Sequence, residues 1–198
     1  MSSPRGEVVL VRHGETEWSR DGLHTGRTDL ELTERGRDQA RRAGRVLAGR
    51  EFALVLSSPL SRAAETCRLA GLGDRVELSD DLMEWHYGDA EGRSTAEIQE
   101  TIPGWTVGTH PVGGEGESVA AVGDRADAVI ARIDAAEGDV AVFAHGHLLR
   151  ILTARWLGLD AVGGRHFVLS TATLSVLGHE HGNRAVHRWN DDTHLGEG

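Results

Sequence analysis

Three short apolar runs rich in valine stand out along the chain, at residues 7–11, 52–56 and 140–143. Continuous apolar runs of this length are typical of strands that are buried on both faces, as in a parallel sheet. Each run is followed by a polar loop and then by a stretch with helical periodicity. This alternation predicts an α/β fold, a three-layer α/β/α sandwich with a mostly parallel central sheet.

Helix starts are indicated by capping residues that precede the amphipathic stretches. Thr33 is placed to cap one helix, Ser58 precedes a proline at a first helical position, and residues 94–97 form a capping box. Further helices are predicted at 119–136 and 148–157. The helix after Thr33 is predicted to bury Ala40, Ala43, Val46 and Leu47.

Near the C-terminus, residues 173–177 and 185–189 flank the sequence Glu-His-Gly-Asn. This pattern predicts a β-hairpin or two edge strands. No internal repeat and no interdomain linker interrupts the chain. Residues 1–198 are therefore predicted to form a single domain, a size that one hydrophobic core supports.

The charge of the chain constrains its ligand. Hydrophobic residues make up 39% of the sequence, as in ordinary globular proteins, and the formal net charge is -10. Such a surface repels nucleic acid and anionic lipid headgroups, so we expect neither a nucleic-acid nor a membrane partner. An anionic substrate would need a local basic pocket, built from arginines and histidines that lie far apart in the sequence.

Cys67 is the single cysteine, so no intrachain disulfide can form, and a reducing compartment is the simplest interpretation. The apolar run that begins at Val8 is too short to cross a membrane and ends at Arg12. The sequence predicts no secretion signal and no transmembrane helix, and we expect a cytoplasmic protein.

Basic residues follow each of the three buried runs. Arg12 and His13 follow the first run, Arg62 follows the second, and His145 follows the third. Ligands of α/β sheets bind beyond the carboxyl ends of the strands, so these side chains are expected to meet in one anion pocket. The arginines can hold phosphoryl oxygens in bidentate fashion, His145 can complete the clamp, and neutral His13 can attack phosphorus.

Phosphoryl transfer to a histidine also needs an acid that protonates the departing alkoxide. Glu84 is the leading candidate for this acid. Its neighbours Trp85 and Tyr87 are expected to provide an apolar surround that favours the protonated carboxyl.

The sequence Arg-His-Gly-Glu-Thr at 12–16 resembles the signature of the histidine phosphatase superfamily, also called phosphoglycerate-mutase-like. Segments similar to the family's other motifs follow in its order over nearly the whole chain: 26–29, 57–66, 84–92, 116–118 and 145–147. The resemblance implies a phosphoglycerate-mutase-like fold and a phosphorylated nucleophile at His13. It also implies phosphoryl binding by Arg12, Arg62 and His145, with Glu84 as the proton donor.

The resemblance further implies a set of substrate-binding residues. Ser19 stands where mutases of the family have an asparagine near the phosphate, and Thr25 and Gly26 fall on the substrate-contact loop. Tyr87 and Gly146 also match contact positions.

Cofactor-dependent mutases of this family carry a long insertion between the proton-donor motif and the Gly-Glu-Ser motif. Here only residues 88–116 lie between them. A short covering segment admits water to the phosphoenzyme, which favours a phosphatase over a phosphoglycerate mutase. The run at 84–89 is similar to branches that act on sugar phosphates or as broad-specificity acid phosphatases. A catalytically silent phospho-ligand binding protein is the third hypothesis.

No cluster supplies the carboxylates of a two-metal phosphatase, so a mechanism without metal or cofactor is predicted. His179, His181 and His187 are interpreted as structural, and so is His147. The apolar stripe of residues 119–136 is predicted to pack in the core, with a homodimer interface as the alternative.

Overall fold

A computed structural model of the protein describes residues 6–108, 110 and 113–196. Its strands are β1 (Val8–Arg12), β2 (Leu54–Ser57), β3 (Val76–Leu78), β4 (Val140–Ala144), β5 (Leu174–Glu180) and β6 (Asn183–Asp191). They form one six-stranded sheet in the order β3-β2-β4-β1-β5-β6. The four strands from β3 to β1 are parallel, and β5 and β6 are antiparallel to their neighbours. The predicted mostly parallel α/β sheet is confirmed.

The α-helices are α1 (Glu17–Arg20), α2 (Glu34–Leu47), α3 (Ser61–Leu69), α4 (Thr95–Thr101), α5 (Val119–Asp134) and α6 (Gly146–Trp156). They cover both faces of the sheet because alternate residues of each strand point to opposite sides. On β1, Val8 and Leu10 pack with α5 and α6, whereas Val9 and Val11 pack with α2 and α3. The result is the three-layer sandwich that the sequence predicts.

The caps of α2 and α4 are confirmed. The Thr33 hydroxyl accepts the backbone N–H of Gly36, and Ser94 and Glu97 form the reciprocal capping box. The prediction that α2 buries Val46 is wrong, because this residue is 51% exposed.

The start of α3 also differs from the prediction. Its N-cap residue is Leu60, with no side-chain cap, so Ser58 lies two residues too early to cap the helix. The Ser58 hydroxyl accepts the backbone N–H of Leu60 and contacts the ring of His145. Ser58 therefore makes its hydrogen bonds at the end of β2 and does not cap α3.

The stripe of α5 packs in the core, as predicted, with Val122, Ala126 and Val129 fully buried. The hairpin between β5 and β6 is also confirmed, and it turns at His181 and Gly182, both in the left-handed region. Among the described residues, no helix has the length and apolar character needed to cross a bilayer.

Candidate active site

The site lies at the carboxyl ends of β1 and β4, which are adjacent parallel strands. Arg12 pairs with Ala144 in register, and the backbone N–H of His13 donates to the Ala144 carbonyl at 3.0 Å. The residues that follow the two strands are therefore neighbours. The ring centroids of His13 and His145 are 5.2 Å apart. The structure thus brings together the two histidines that the strand ends predict.

His13 is almost completely buried, and its Nδ1 lies 2.7 Å from the carbonyl oxygen of Gly14. A carbonyl can only accept, so Nδ1 carries the proton and Nε2 keeps its lone pair. Burial lowers the pKa of His13 well below its usual value, and the charges of Arg62 and Arg12 lower it further. The ring is therefore neutral and nucleophilic at Nε2.

The loop after His13 is fixed by close backbone packing. The backbone N–H of Gly14 donates to the Thr66 hydroxyl, and a Cβ on Gly14 would lie 2.4 Å from the carbonyl oxygen of Gly36. Glu15 accepts the Thr33 hydroxyl at 2.8 Å and so ties the loop to the start of α2. These contacts explain why the signature contains glycine and glutamate beside the histidine.

Arg62 lies in the first turn of α3 and is fully buried. Nη1 donates to the carbonyl of Thr28, Nη2 donates to Gly26 at 2.8 Å and to Thr25 at 3.4 Å, and Nε donates to Nδ1 of His145 at 3.2 Å. A guanidinium has five N–H groups, so one N–H on Nη1 remains for a ligand. Burial lowers the pKa of Arg62.

These contacts also assign the proton on His145. Its Nδ1 accepts from Arg62, so Nε2 carries the proton and donates to the Ser58 hydroxyl at 2.8 Å. Burial and then Arg62 lower the pKa of His145 well below its usual value. The ring is neutral before an anion enters.

Arg12 is the cation with the fewest protein partners in the site. Nη1 donates to the carbonyl of Leu169 at 2.5 Å, while Nε is buried without an acceptor among the described residues. Burial lowers the pKa of Arg12. A Cβ on Gly146 would meet this guanidinium at 3.4 Å, so the glycine leaves space beside it. A buried cation with an unused donor is what an anionic ligand requires.

Glu84 is buried, and three backbone N–H groups contact its carboxylate. Oε1 accepts from Trp85 at 2.9 Å and from Leu148 at 3.0 Å, and Oε2 accepts from His147 at 3.0 Å. The prediction of an apolar surround is therefore wrong at the carboxylate itself. The first turn of α6 has unsatisfied N–H groups, and Glu84 supplies their acceptor.

The segment that carries Glu84 is held by Arg125 of α5. This arginine donates to the carbonyls of Asp81 and Met83 and forms an ion pair with Glu117 at 2.9 Å. Glu117 in turn accepts the backbone N–H of His86 at 2.8 Å. The Gly-Glu-Ser motif at 116–118 thus positions the segment 83–87. Arg125 was not found by sequence reasoning, because nothing in an amphipathic helix marks one arginine as a contact to a distant loop.

A cavity of about 100 Å³ joins these groups. It is lined by Arg12, His13, Ser19, Leu23, His24, Thr25, Glu84, Tyr87, Gly146, His147, Arg150 and Leu169. Arg62 and His145 are fully buried and do not line this cavity. A larger hollow of about 350 Å³ lies near Val8 and Trp156, where Arg184 is paired with Asp134 and His179 packs edge-on against Trp156.

Four of the five predicted substrate-binding residues line the cavity: Ser19, Thr25, Tyr87 and Gly146. Gly26 does not line it, but its carbonyl holds Arg62. The Ser19 hydroxyl donates to the Thr16 carbonyl at 3.0 Å, so toward a ligand it can act only as an acceptor.

Sequence reasoning missed three basic residues on the cavity wall, His24, His147 and Arg150. His147 shares a 2.5 Å hydrogen bond with the Tyr87 hydroxyl, and burial lowers its pKa well below the usual value. Burial also lowers the pKa of His24. One signal was available in the sequence: Arg150 is a lone charge in the apolar start of α6, one turn after Gly146.

The three histidines of the hairpin do not form a site together. His179 packs edge-on against Trp156, His181 contacts Glu180, and His187 contacts Glu7 at 3.0 Å. No group of three or more His, Cys, Asp or Glu side chains gathers as a metal site within the described ranges.

The fold and the cavity together define an enzyme that acts on phosphate esters. The chain belongs to the histidine phosphatase superfamily (branch 1), whose pattern it matches over residues 8–192, and it is a phosphatase, a phosphoric monoester hydrolase.

Similar proteins support this assignment over most of the chain. An acid phosphatase of Mycobacterium tuberculosis is 43% identical, covering 90% of this chain and 89% of its own length. A sedoheptulose 1,7-bisphosphatase of Saccharomyces cerevisiae is 38% identical, covering 80% and 70%. A solved structure of a Mycobacterium tuberculosis open reading frame product has a TM-score of 0.86 at 41% identity, covering 93% of this chain and 97% of that one.

Proposed function

We propose that the protein hydrolyses small phosphate monoesters, sugar phosphates in particular, through a phosphohistidine at Nε2 of His13. One observation carries the proposal. The Nδ1 proton of His13 is bound to the Gly14 carbonyl, which leaves the Nε2 lone pair for a cavity that is also lined by Arg12, whose buried Nε has no acceptor among the described residues. A neutral nucleophile beside an uncompensated cation suits attack on an anionic ester.

In the first step the Nε2 lone pair of His13 attacks phosphorus, and the bond from phosphorus to the ester oxygen breaks. Arg12 and the free N–H of Arg62 bind the phosphoryl oxygens. Their charge offsets the negative charge of the oxygens in the transition state. His145 uses the proton it already carries on Nε2: a phosphoryl oxygen that takes the place of the Ser58 hydroxyl accepts this N–H, while Nδ1 continues to accept from Nε of Arg62.

Glu84 supplies the proton that the departing alkoxide needs. Oε1 accepts two N–H groups, whereas Oε2 accepts one and keeps a free lone pair. A proton on that lone pair leaves all three backbone hydrogen bonds intact. The negative charge of a bound phosphate ester in the same cavity favours the protonated carboxyl. The alkoxide leaves as an alcohol, and Glu84 becomes a carboxylate.

In the second step water attacks phosphorus of the phosphohistidine. The Glu84 carboxylate removes a proton from this water, the bond between nitrogen and phosphorus breaks, and the electron pair returns to Nε2 of His13. Inorganic phosphate leaves, and both residues recover their starting protonation. The same group thus serves as acid and then as base.

The substrate class is supported by the cavity walls and by the relatives. His24 uses Nε2 in its hydrogen bond to Thr95 and His147 uses Nδ1 toward Tyr87, so each ring keeps a second nitrogen for a substrate hydroxyl. Among relatives named for a substrate are a sedoheptulose 1,7-bisphosphatase and a glucosyl-3-phosphoglycerate phosphatase.

The experiment is a phosphate-release screen across sugar phosphates, phosphoglycerates and nucleotides, with p-nitrophenyl phosphate as a general ester. We expect hydrolysis without added metal and its loss in His13→Ala. His166→Ala, an exposed histidine outside the cavity, is the matched control. Activity that survives His13→Ala in a clean preparation contradicts the proposal. Interconversion of 3- and 2-phosphoglycerate that outpaces phosphate release identifies a mutase, and tight ester binding without turnover identifies a binding protein.

A further inference from the structure

Arg150 extends the positive charge of the cavity by one turn of α6. It stands four residues after Gly146, so the two lie on the same helix face, about 6 Å apart along the axis. Gly146 packs against the guanidinium of Arg12, and Arg150 lines the same cavity as Arg12 and His13. The phosphoryl-binding end of the cavity and Arg150 therefore lie one after the other along one wall of the cavity.

The side chain of Arg150 is held by backbone rather than by a counter-charge. Nε donates to the carbonyl of Gly164 at 3.1 Å and Nη2 donates to that of Arg165 at 3.3 Å. Within the described part of the chain no carboxylate forms an ion pair with it. Arg155, five residues further along α6, is instead paired with Asp127 at 2.7 Å. Two carbonyls orient the Arg150 guanidinium, and the Glu84 carboxylate raises its pKa without forming an ion pair with it.

The environment makes this charge costly in the empty cavity. Burial lowers the pKa of Arg150. The pKa of Arg12 is lowered chiefly by burial and to a smaller extent by the charge of Arg150, whereas the Glu84 carboxylate raises the pKa of both arginines. A half-buried cation that repels a neighbouring cation is stabilised most by an anion placed against it.

We propose that Arg150 binds a second anionic group of the substrate, a carboxylate or a second phosphate, while Arg12 holds the phosphoryl group that is removed. This inference rests on the proposed function, and it narrows the substrate class to phosphate esters with two anionic ends. The free nitrogens of His24 and His147 fit hydroxyl groups on the carbon chain between those ends.

The test compares pairs of esters that differ in the second group. Glycerol 3-phosphate is matched with 3-phosphoglycerate, and fructose 6-phosphate with fructose 1,6-bisphosphate. Values of kcat/KM are measured for the wild type, Arg150→Gln, Arg150→Lys and Arg165→Gln. Arg165 is the control because its side chain is exposed nearby and does not line the cavity. Hydrolysis of p-nitrophenyl phosphate, which has no second anionic group, reports on the phosphoryl site alone.

We expect the wild type to prefer the doubly anionic ester in at least one pair. Arg150→Gln should lower that preference about 10- to 100-fold, the effect of one lost hydrogen bond to a charged group. Arg150→Lys should retain part of the preference, and Arg165→Gln should retain all of it. A wild type that prefers the singly anionic ester in both pairs overturns the inference, and so does a preference that survives Arg150→Gln. Either result leaves the proposed function standing if p-nitrophenyl phosphate is hydrolysed through His13. Failure to hydrolyse any ester contradicts the proposed function itself.

Discussion

Oε1 of Glu84 accepts the backbone N–H of Leu148 at 3.0 Å, so the proposed proton donor is also a cap of α6. The helix N-terminus and the acid therefore depend on each other. The N–H groups of the first turn would be unsatisfied without Glu84, and Glu84 would be free to rotate without them. One contact thus couples the stability of α6 to the chemistry of the cavity.

Glu84→Gln should separate these two roles. The amide oxygen still accepts two N–H groups, but the amide nitrogen then faces the N–H of His147, and the loss of this bond should cost about 1–3 kcal/mol of unfolding free energy. Because the acid is gone, kcat/KM for a sugar phosphate, which reports on the steps up to departure of the alcohol, should fall about 100-fold or more. The kcat/KM of p-nitrophenyl phosphate should fall less, since nitrophenolate leaves without protonation. The measurement is kcat/KM for both esters together with urea unfolding.

Glu97→Gln is the matched control for Glu84→Gln. Glu97 accepts backbone and hydroxyl groups of Ser94 in the capping box of α4, outside the cavity. Its substitution should lower stability and leave the ratio of the two rates unchanged. An equal loss for both esters in Glu84→Gln would contradict the role of Glu84 as an acid.

The protonation state of His13 can be observed directly. Because its pKa lies well below the usual value through burial, Arg62 and Arg12, the neutral ring should persist as the pH falls from 8 to 5. The neutral form of a histidine predominates above its pKa, so a lowered pKa extends the pH range of the neutral ring toward acid. Nitrogen-15 NMR of the histidine rings, in buffer without phosphate or sulfate, should show the Nδ1-protonated tautomer throughout. Comparison with His13→Ala assigns the signals, and titration of His13 near pH 6.5, the ordinary histidine value, would refute this reading.

Arg62→Lys should lower both stability and phosphoryl binding, although it keeps the positive charge. The carbonyls of Thr28 and Gly26 each accept from Arg62, and a single ammonium cannot reproduce this fork. We expect a loss of about 2–4 kcal/mol in unfolding free energy and loss of inhibition by orthovanadate, a mimic of the phosphoryl group. Arg68→Lys, on the exposed side of the same helix, should change neither quantity. Tight vanadate inhibition in Arg62→Lys would show that the paired N–H groups of the guanidinium are not needed.

Gly26→Ala tests how closely the loop packs on the segment that carries Glu84. A Cβ at Gly26 would lie 2.5 Å from the carbonyl oxygen of Trp85, so one of the two backbones must move. We expect a loss of about 1–3 kcal/mol in unfolding free energy and a higher KM, because the Gly26 carbonyl also holds Arg62. At Gly163 the nearest atom to a Cβ is 3.5 Å away, so Gly163→Ala should be tolerated. Equal melting temperatures for the two variants would contradict the packing argument.

The site residues that follow strand ends could be predicted from the sequence. Arg12, His13 and His145 were predictable because each follows a buried valine-rich run, and parallel strands bring their carboxyl ends to one edge. The surround of Glu84 was not predictable, because two of its three backbone N–H partners lie more than 60 residues further along the chain. Arg150 was missed for a related reason: only the packed structure shows which face of α6 meets the cavity.

Errors in the predicted elements have the same physical origin. Ser58 has the composition of an N-cap, yet its hydroxyl is bound by the ring of His145, and α3 starts at Ser61. Val46 fits the apolar period of α2, yet it lies at the rim of the layer and is half exposed. Local patterns identify which residues favour an element, whereas tertiary contacts decide where it ends.

The covalent intermediate tests the central claim most directly. Enzyme is mixed with excess substrate, quenched in alkali within the first turnover, and analysed by mass spectrometry and phosphorus-31 NMR. The mechanism predicts one phosphoryl group per chain on Nε2 of His13, formed and consumed at least as fast as steady-state turnover, and none in His13→Ala. Turnover by the wild type with the phosphoryl group on another residue, or with no phosphoenzyme in the first turnover, would contradict it.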